Sequence, residues 1–501
     1  MLLKLIKRTC LLLALMAASH AGAFTLWGPV ETWQTTDLDY SNPAGSVRYY
    51  YFYVEPGFDG RENGAPKNFG EGSRLTTPII TYGFDATFLD YFGAKGEAAV
   101  ESAFTLLNAL PSASNAKLAN YLTDGAEQVN YTAQAMELLD LKSTVLWLMA
   151  EHMGLMGETH VWDLAARTHY DTATCDYEYF VINRNYDPVT YNPTPYVNGR
   201  LYNYSIWDGC PVGVAVGDAI ETASDTTATR YSAVATGNNL EIGAYYLNFT
   251  RDDVAGLKYL YNKGLYDYQT LDSNAIAEPF SSDWMAVNTT NLITGISNFT
   301  GLLGGVEKIT FVKVNYDSML NPGFTPITYR YNIPYVTNSR LYQVHVTRTV
   351  RAPDILFTAA NLASEGPPLS DPALSRSGTF IQTTYASPGG GILPSTISAP
   401  VLVVLNNIGP IYYAYSPSFL DNYNYFAYPI FNWGTFDGST NAPIAYPLGS
   451  SLAALEAQVL QGGTAVPANQ WAAVLNPNTN TVTGTGTGTG AGGGTGVTRL
   501  H

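Results

Sequence analysis

The feature that most restricts the fold of this chain is the apolar stretch from Leu141 to His160. Up to Met153, its hydrophobic residues fall on more than one side of a helix, which is typical of a helix packed against several neighbours. Gly154 and Gly157 then mark the C-terminal end of that helix. The stretch therefore predicts one apolar helix that runs into a glycine-punctuated turn.

The N-terminus has the three parts of a secretory signal peptide. A basic start precedes the apolar run from Cys10 to Ala18, and the small residues Ala21-Gly22-Ala23 follow as a cleavage site. We therefore expect a signal peptide over residues 1–23 and a mature chain that starts near Phe24. No later stretch is long and apolar enough to predict a membrane span. The expected location is secreted or at the cell surface, in an extracellular or periplasmic space.

The charge of the chain is acidic. It has 25 Lys and Arg residues against 41 Asp and Glu residues, which gives a formal net charge of −16. Removing residues 1–23 takes away cations and no anion, so the mature chain carries about −19. This charge argues against a nucleic-acid partner. Only 13% of the residues are charged and 37 are tyrosines, which predicts the polar, weakly charged surface of a secreted β-rich protein.

Two cysteines remain once Cys10 leaves with the signal peptide. In an oxidising compartment, the even pair Cys175 and Cys210 predicts a disulfide. Closing a loop of that length would stabilise the fold by about 3–4 kcal/mol in the chain-entropy description. The alternative is two unpaired, buried thiols.

Helices and strands follow one another in mixed order. Glu97 to Leu107 places its apolar residues on one face, which predicts an amphipathic helix that ends before Pro111. Thr250 is a suitable N-cap for another helix, because Asp252 and Asp253 would complement its positive N-terminal end. β-Branched and aromatic runs predict strands at Val47–Val54, Pro78–Phe84, Tyr177–Ile182, Ile309–Val314, Ile327–Tyr331, Leu341–Val346 and Val401–Leu405. One late helix is expected at Ser451–Leu460.

A chain of 501 residues exceeds one ordinary core, so more than one domain is expected. The fold class that these elements predict is α+β, with a helix-containing N-terminal half and a β-rich, sandwich-like C-terminal half. The expected organisation is a signal peptide at 1–23, an N-terminal arm with a strand at 24–75, a first domain at 76–265 with an insertion at about 165–240, a linker at 266–299, a β-rich domain at 300–475 and a disordered Gly/Thr-rich tail at 476–501.

Three separated segments of the first domain resemble the catalytic domain of matrixins, a branch of the metzincin zinc proteases. Ile80-Thr81-Tyr82-Gly83-Phe84 and the helix after it look like the first strand and first helix of that domain. Leu141 to His160 looks like the active-site helix and its turn, and Phe249 to Tyr261 is similar to the closing helix. The resemblance implies a zincin-like fold for residues 76–265. The chain also resembles a group of secreted bacterial proteins that have the same weakened helix and a β-rich C-terminal half.

The metal ligands of the metzincin pattern H-E-x-x-H-x-x-G-x-x-H are largely absent. The resemblance places Glu151 on the general base and His160 on the third ligand, but the first two ligand positions hold Ala150 and Gly154. Neither side chain can bind zinc. His152 lies about 200° around the helix from position 150, so it is not a substitute. No cofactor is therefore expected.

Three functions remain open from the sequence. The favoured one is a secreted, non-catalytic pseudoenzyme with an extracellular binding or structural role. A zinc metalloendopeptidase is the alternative, with Glu151 as general base and an unorthodox metal site drawn from His152, His160, His169 and Asp163. A self-assembling surface or filament subunit is the third, because the tail is rich in Gly and Thr. For Glu151 and His160, ordinary structural roles are the competing interpretation.

Tyrosine-rich loops are the candidate contact surface for a partner. Tyr186 to Tyr204 and Asn422 to Tyr425 combine Tyr with Asn, and aromatic side chains are favoured at interfaces. An extracellular protein or a polysaccharide is therefore the expected kind of partner. The competing interpretation is that loops of secreted proteins are commonly rich in Tyr and Asn without binding anything.

Overall fold

The computed structural model describes residues 23–28, 65–66, 68–70, 72–123, 126–156, 162–171, 176–208, 217–223, 233–235, 240–272, 274–278, 296–297, 299–316, 324–359, 374–377, 396–397, 401–405 and 432–447. The strand expected at Val47–Val54, the helix expected at Ser451–Leu460 and the Gly/Thr-rich tail lie outside these residues. The chain divides into two units, Met1–Tyr446 and Pro447–His501, and the elements below all belong to the first.

Four α-helices are described, and their ends follow from local capping. They are α1 (Ala86–Ala109), α2 (Tyr131–Ala135), α3 (Leu141–His152) and α4 (Arg251–Leu260). The Asp85 carboxylate caps α1 by accepting from the backbone N–H of Phe88, and the helix is broken internally at Gly93, where φ is +60°. The helices predicted at 97–107, 141–153 and after Thr250 are thus confirmed. No helix of the described residues is long and apolar enough to cross a membrane.

The strands are short and numerous. Up to helix α4 they are β1 (Phe24–Gly28), β2 (Ala65–Pro66), β3 (Arg74–Leu75), β4 (Ile79–Phe84), β5 (Glu127–Val129), β6 (Leu138–Asp140), β7 (Leu155–Met156), β8 (Trp162–Asp171), β9 (Asp176–Asn183), β10 (Asn185–Tyr186), β11 (Tyr196–Val197), β12 (Arg200–Asp208), β13 (Gly217–Ala223) and β14 (Ala244–Tyr246). After α4 they are β15 (Tyr266–Thr270), β16 (Ala275–Glu278), β17 (Ile296–Ser297), β18 (Thr300–Gly304), β19 (Thr310–Lys313), β20 (Ile327–Thr337), β21 (Arg340–Val350), β22 (Ile355–Thr358), β23 (Leu374–Ser377), β24 (Thr396–Ile397), β25 (Val401–Leu405), β26 (Asn432–Thr435) and β27 (Ile444–Ala445). The protein is therefore α+β, as expected.

Strand β4 is central to a five-stranded sheet of order β19-β4-β22-β25-β23. It pairs in parallel with β19 on one side and β22 on the other. Helix α1 covers this sheet, and the ring of Phe104 stacks on Tyr82 with 3.8 Å between centroids and also meets Phe311 and Phe357. The sheet partners of β4 all come from beyond residue 300, so the segments predicted as 76–265 and 300–475 share one sheet.

A second sheet has six strands in the order β15-β18-β20-β21-β16-β17. Three of them, β15, β16 and β17, lie in the segment 266–299 that the sequence presents as a linker. Strand β15 lacks the alternation of apolar and polar residues that normally predicts a strand, because its inward-facing residues are the polar Asp267 and Gln269. The insertion at 165–240 likewise contains strands, with β8 paired to β9 and β12 paired to β13.

Candidate functional site

Helix α3 begins at a buried cap. The carboxylate of Asp140 accepts hydrogen bonds from the backbone N–H and the hydroxyl of Ser143, at 2.8 and 2.5 Å, and from the backbone N–H of Phe436 at 3.3 Å. Burial raises the pKa of Asp140 to about 6. The Ser143 hydroxyl in turn accepts from the backbone N–H of Tyr246. The start of α3 is thus held by residues from both halves of the chain.

The two positions that the metzincin resemblance aligns with zinc ligands, at the other end of α3, are closed by packing. Ala150 is fully buried. Gly154 has φ of +100°, and a Cβ atom built there would lie 2.1 Å from the backbone oxygen of Ser73 and 3.0 Å from Leu260. A larger side chain at position 154 would therefore meet backbone on one side and a helix on the other. The residues at these two positions do not fit a zinc ion.

A tyrosine joins helices α3 and α4, two of the segments that resemble a matrixin domain, to strand β3. The hydroxyl of Tyr261, just after α4, donates to the backbone oxygen of Met153 at 2.8 Å. The backbone N–H of Leu75, in β3, donates to the same hydroxyl at 3.3 Å. The C-terminal end of α3 is thereby connected to β3 and to α4 in the core.

The two polar residues at the end of α3 have different surroundings. Glu151 is partly buried. His152 is 1% exposed, and neither of its ring nitrogens has a hydrogen-bond partner among the described residues. Burial alone lowers the pKa of His152 to about 4, so the ring is neutral at physiological pH. His152 is a core side chain in this structure.

The remaining predicted site residues are only partly described. His160 lies outside the described residues, and so do Cys175 and Cys210, whose disulfide stays a prediction. Asp163 and His169 lie on β8, for which the backbone is described. Within the described part of the chain, no group of three or more His, Cys, Asp or Glu side chains is arranged to hold a metal ion.

Helix α4 begins with the two carboxylates that its sequence predicts at the N-terminal end, and the structure shows both to be buried. Asp253 forms a capping box with Thr250 and also accepts from the backbone N–H groups of Val234 and Ala235, at 3.0 and 2.9 Å. Asp252 accepts from the backbone N–H of Asn198 at 2.5 Å. Burial raises the pKa of both carboxyls. These residues therefore connect α4 to the insertion as well as capping it.

Part of the predicted tyrosine-rich loop forms an aromatic cluster at the surface. We call the rings of Phe69, Tyr186, Tyr191 and Tyr259 the aromatic shelf. Phe69 lies at its centre, with its ring centroid 4.3 to 5.7 Å from the other three. Phe69 and Tyr191 are 38% and 43% exposed, whereas the two other rings are buried beneath them.

The loop that carries Tyr191 is held in a defined conformation. Asp187 accepts from the backbone N–H groups of Val189 and Thr190, and its backbone oxygen accepts from the backbone N–H of Tyr191. Tyr191 has φ of +59°, which is rare for a bulky residue and requires support from its surroundings. The aromatic shelf is therefore a preorganised surface feature.

Sequence reasoning included Tyr186 and Tyr191 in a candidate loop but missed Phe69 and Tyr259. Phe69 lies in the N-terminal arm, distant in sequence from the loop, and Tyr259 is part of helix α4. No local pattern brings these residues together, because Phe69, the loop with Tyr186 and Tyr191, and Tyr259 are separated from one another by tens of residues or more. A family model matching the chain was not found, and comparisons with curated proteins and with solved structures also gave no match.

Proposed function

We propose that this protein is a secreted, non-catalytic binding protein built on a matrixin-like scaffold. The observation that carries the proposal is the closed position at Gly154, where a ligand side chain would meet the Ser73 backbone oxygen at 2.1 Å. Ala150, at the other aligned position, is fully buried. Both positions at this end of α3 are therefore filled by core packing. We also propose that this scaffold has a zincin-like fold.

The contacts of Tyr261 support the zincin-like part of the proposal. They connect helix α3 to the closing helix α4, which are two of the three segments of the resemblance, and also reach Leu75 in β3. In this proposal the scaffold extends beyond residues 76–265, since β4 pairs with β19 and β22 from the C-terminal half.

Metal content tests the non-catalytic role directly. The mature chain, residues 24–501, is incubated with zinc and desalted, and the metal-to-protein ratio is read by mass spectrometry. We expect a ratio near zero and no metal-dependent cleavage of a protein substrate. A ratio near one, with cleavage that disappears in Glu151→Gln, would instead establish the alternative of a zinc metalloendopeptidase.

The aromatic shelf is the surface that we assign to binding, with a neutral polysaccharide as the ligand class. Two half-exposed rings, Phe69 and Tyr191, offer flat apolar faces, and the exposed Thr190 and Asn192 flank Tyr191 in sequence. Rings of this kind cover the apolar faces of a ligand while neighbouring polar groups form hydrogen bonds.

Affinity electrophoresis in gels that contain neutral polysaccharides tests this assignment. We expect at least one polysaccharide to retard the protein, and Tyr191→Ala to weaken the binding roughly tenfold, as for loss of one aromatic contact residue. The control is Tyr131→Ala, since Tyr131 is 68% exposed and lies outside the shelf. Equal retardation of both variants would remove the shelf from the proposal.

A further inference from the structure

The hairpin formed by β20 and β21 is positively charged, although the chain as a whole is acidic. From Ile327 to Arg351 the sequence has four arginines and no Asp or Glu, whereas the whole chain has a formal net charge of −16. Arg348 is buried in ion pairs inside the core. The other three, Arg330, Arg340 and Arg351, are exposed. The surface of this hairpin therefore carries uncompensated cations.

The three exposed arginines have no ion-pair partner within the described part of the chain. By comparison, the surface cation Lys313 is neutralised by Glu97 and Glu101 of helix α1. Three guanidinium groups without a carboxylate neighbour leave their N–H donors free for an external anion.

The register of the hairpin brings polar side chains of both strands onto its outward face. Arg330 lies opposite Thr347, and Asn332 lies opposite His345. Directly opposite residues of antiparallel strands point to the same face of a sheet. Gln343 is two residues before His345 on β21 and shares that face. We call the four exposed side chains Arg330, Asn332, Gln343 and His345 the hairpin face.

The polar groups of the hairpin face are close enough to bind one ligand together. Neighbouring strands lie about 4.8 Å apart, and side chains on the same face of one strand are about 6.7 Å apart. The Nδ1 atom of His345 is 2.6 Å from the Oδ1 atom of Asn332. With that oxygen as the acceptor, the amide N–H groups of Asn332 and the Nε2 atom of His345 remain available to a ligand.

The position of the hairpin within its sheet restricts the kind of partner. Strand β20 is flanked by β18 and strand β21 by β16, so neither strand is the edge of the sheet. A peptide that binds by strand addition needs such an edge. A ligand of the hairpin face is instead held by side chains. The guanidinium fork suits carboxylates, and the amide and imidazole groups both donate to and accept from hydroxyls.

We propose that the hairpin face binds an acidic polysaccharide, with a sugar carboxylate on Arg330 and neighbouring hydroxyl groups on Asn332, Gln343 and His345. A polymer of this class carries both of the groups that these side chains recognise. The inference adds a second ligand class at a second surface. It does not depend on the aromatic shelf or on zinc binding.

Positive charge continues beyond the hairpin face. Arg340 begins β21 and Arg351 directly follows its last residue, so these two cations are separated by roughly 35 Å of strand. Strand β16 brings one acidic residue, Glu278, into register with His345. Three cations against this one carboxylate leave a positive surface. Acidic groups farther away than about 8 Å are largely screened at physiological ionic strength.

Biolayer interferometry on the mature chain tests this inference, with immobilised polygalacturonate as the probe. Dextran is the neutral comparison and poly-glutamate is the acidic polypeptide. We expect binding to polygalacturonate that weakens as the salt concentration rises from about 50 mM to about 500 mM. Poly-glutamate should bind more weakly, because it lacks the hydroxyl groups of a sugar.

Two variants of the hairpin face and one control locate the binding. Arg330→Gln should weaken polygalacturonate binding roughly tenfold, as for loss of a charge-assisted hydrogen bond. Gln343→Glu puts a negative charge on the same face with little change in shape and should also weaken binding. It keeps the test decisive if Arg330→Gln folds poorly. The control is Lys95→Gln, which removes an exposed cation of helix α1 and should leave the affinity unchanged.

Three outcomes would overturn the inference. They are no binding to polygalacturonate, wild-type affinity in both variants of the hairpin face, and binding to poly-glutamate that equals or exceeds binding to polygalacturonate. The last outcome would assign the face to an acidic polypeptide. Binding to neutral polysaccharides reports on the aromatic shelf alone, so the two proposals can fail separately.

Discussion

At the scale of single residues, the end of helix α3 contains positions that the metzincin resemblance aligns with metal ligands but that lie in the core. Gly154 ends the helix in a left-handed conformation and lies against the backbone of Ser73. His152, two residues earlier, is a neutral ring in a buried site. Both residues contribute to packing, and stability measurements on variants of each can test this role.

Replacement of Gly154 by alanine should destabilise the protein by at least about 2 kcal/mol. Alanine is strained at this positive φ, and its Cβ atom would also clash with the backbone oxygen of Ser73. The matched control is Gly70→Ala. Gly70 has φ of +90°, and a Cβ atom built there has nothing within 4 Å, so this variant reports the backbone strain alone. Urea unfolding of both variants measures the difference, and equal losses would contradict the role that we give to Ser73.

The stability of the protein should fall as the pH falls from 6.5 towards 4, in part because of His152. Its pKa is about 4 in the folded state and near 6.5 when unfolded, so the unfolded chain takes up the proton first. The loss should reach about 3 kcal/mol below pH 4 and vanish above pH 7.

Other buried groups titrate in the same range, so the contribution of His152 is read from a difference. Thermal unfolding of the wild type and of His152→Leu is compared from pH 4 to pH 7.5, and the variant should gain relative stability as the pH falls. Met149→Leu is the control, since it alters the same helix without a titratable group. A pH-independent difference for His152→Leu would contradict the prediction.

At the scale of elements, buried arginines connect segments that are distant in sequence. In β3, Arg74 donates to the side chain of Gln269 and to the backbone oxygens of Leu260, Leu265 and Leu303, at 2.6 to 3.0 Å. It thereby joins β3 to the end of α4 and to the six-stranded sheet. Its carboxylate neighbour Asp267 lies at 3.5 Å.

A second buried arginine connects the two large sheets. Arg348, in β21, is fully buried and pairs with Asp354 at 2.6 Å and Asp272 at 3.3 Å. Asp354 also accepts from the backbone N–H and the hydroxyl of Thr81, in β4. The six-stranded sheet and the sheet of β4 are thereby linked through charged groups inside the core.

Substitution of Arg74 by methionine should cost about 3–5 kcal/mol, because it leaves several backbone oxygens and Asp267 buried without their donor. Lys313→Met is the comparison, since the ion pairs of Lys313 with Glu97 and Glu101 are near the surface and should contribute about 0–1 kcal/mol. Midpoints of urea unfolding give both values. Similar losses in the two variants would contradict this ranking.

At the scale of the whole molecule, the N-terminal and C-terminal halves are interleaved. Strand β4 has its partners beyond residue 300, and β26, near residue 433, pairs in parallel with β6 just before α3. A helix that is apolar on several sides needs such partners, because no single neighbour can cover it. The two halves are therefore expected to fold together.

The fragment 24–265, which covers the arm and the segment that resembles a matrixin domain, should not fold by itself. Without β19 and β22, both edges of β4 would lack a paired strand, and the ring of Phe104 would lose its contact with Phe311. Circular dichroism and thermal unfolding should show no cooperative transition for the fragment, in contrast to the mature chain 24–501. A cooperative transition in the fragment would indicate an independent N-terminal domain.

Local signals in the sequence determined the α+β class, the helix of Leu141–His152 and the capped helix after Thr250, along with most of the longer strands. Each of these depends on residues within one or two turns of one another, such as the box formed by Thr250 and Asp253. That positions 150 and 154 hold Ala and Gly, which have no metal-binding side chain, is likewise visible in the sequence itself.

Only the tertiary structure decided which strands pair, that position 154 is closed, and which side chains meet at the aromatic shelf and at Asp252. Phe69 meets Tyr259, Arg74 meets Gln269, and Phe24 meets Tyr259 across separations of about two hundred residues. Polar residues that face inward, such as Asp267, also break the apolar alternation by which a strand is recognised. Contacts of this kind arise from the packing of the whole chain, and no local pattern encodes them.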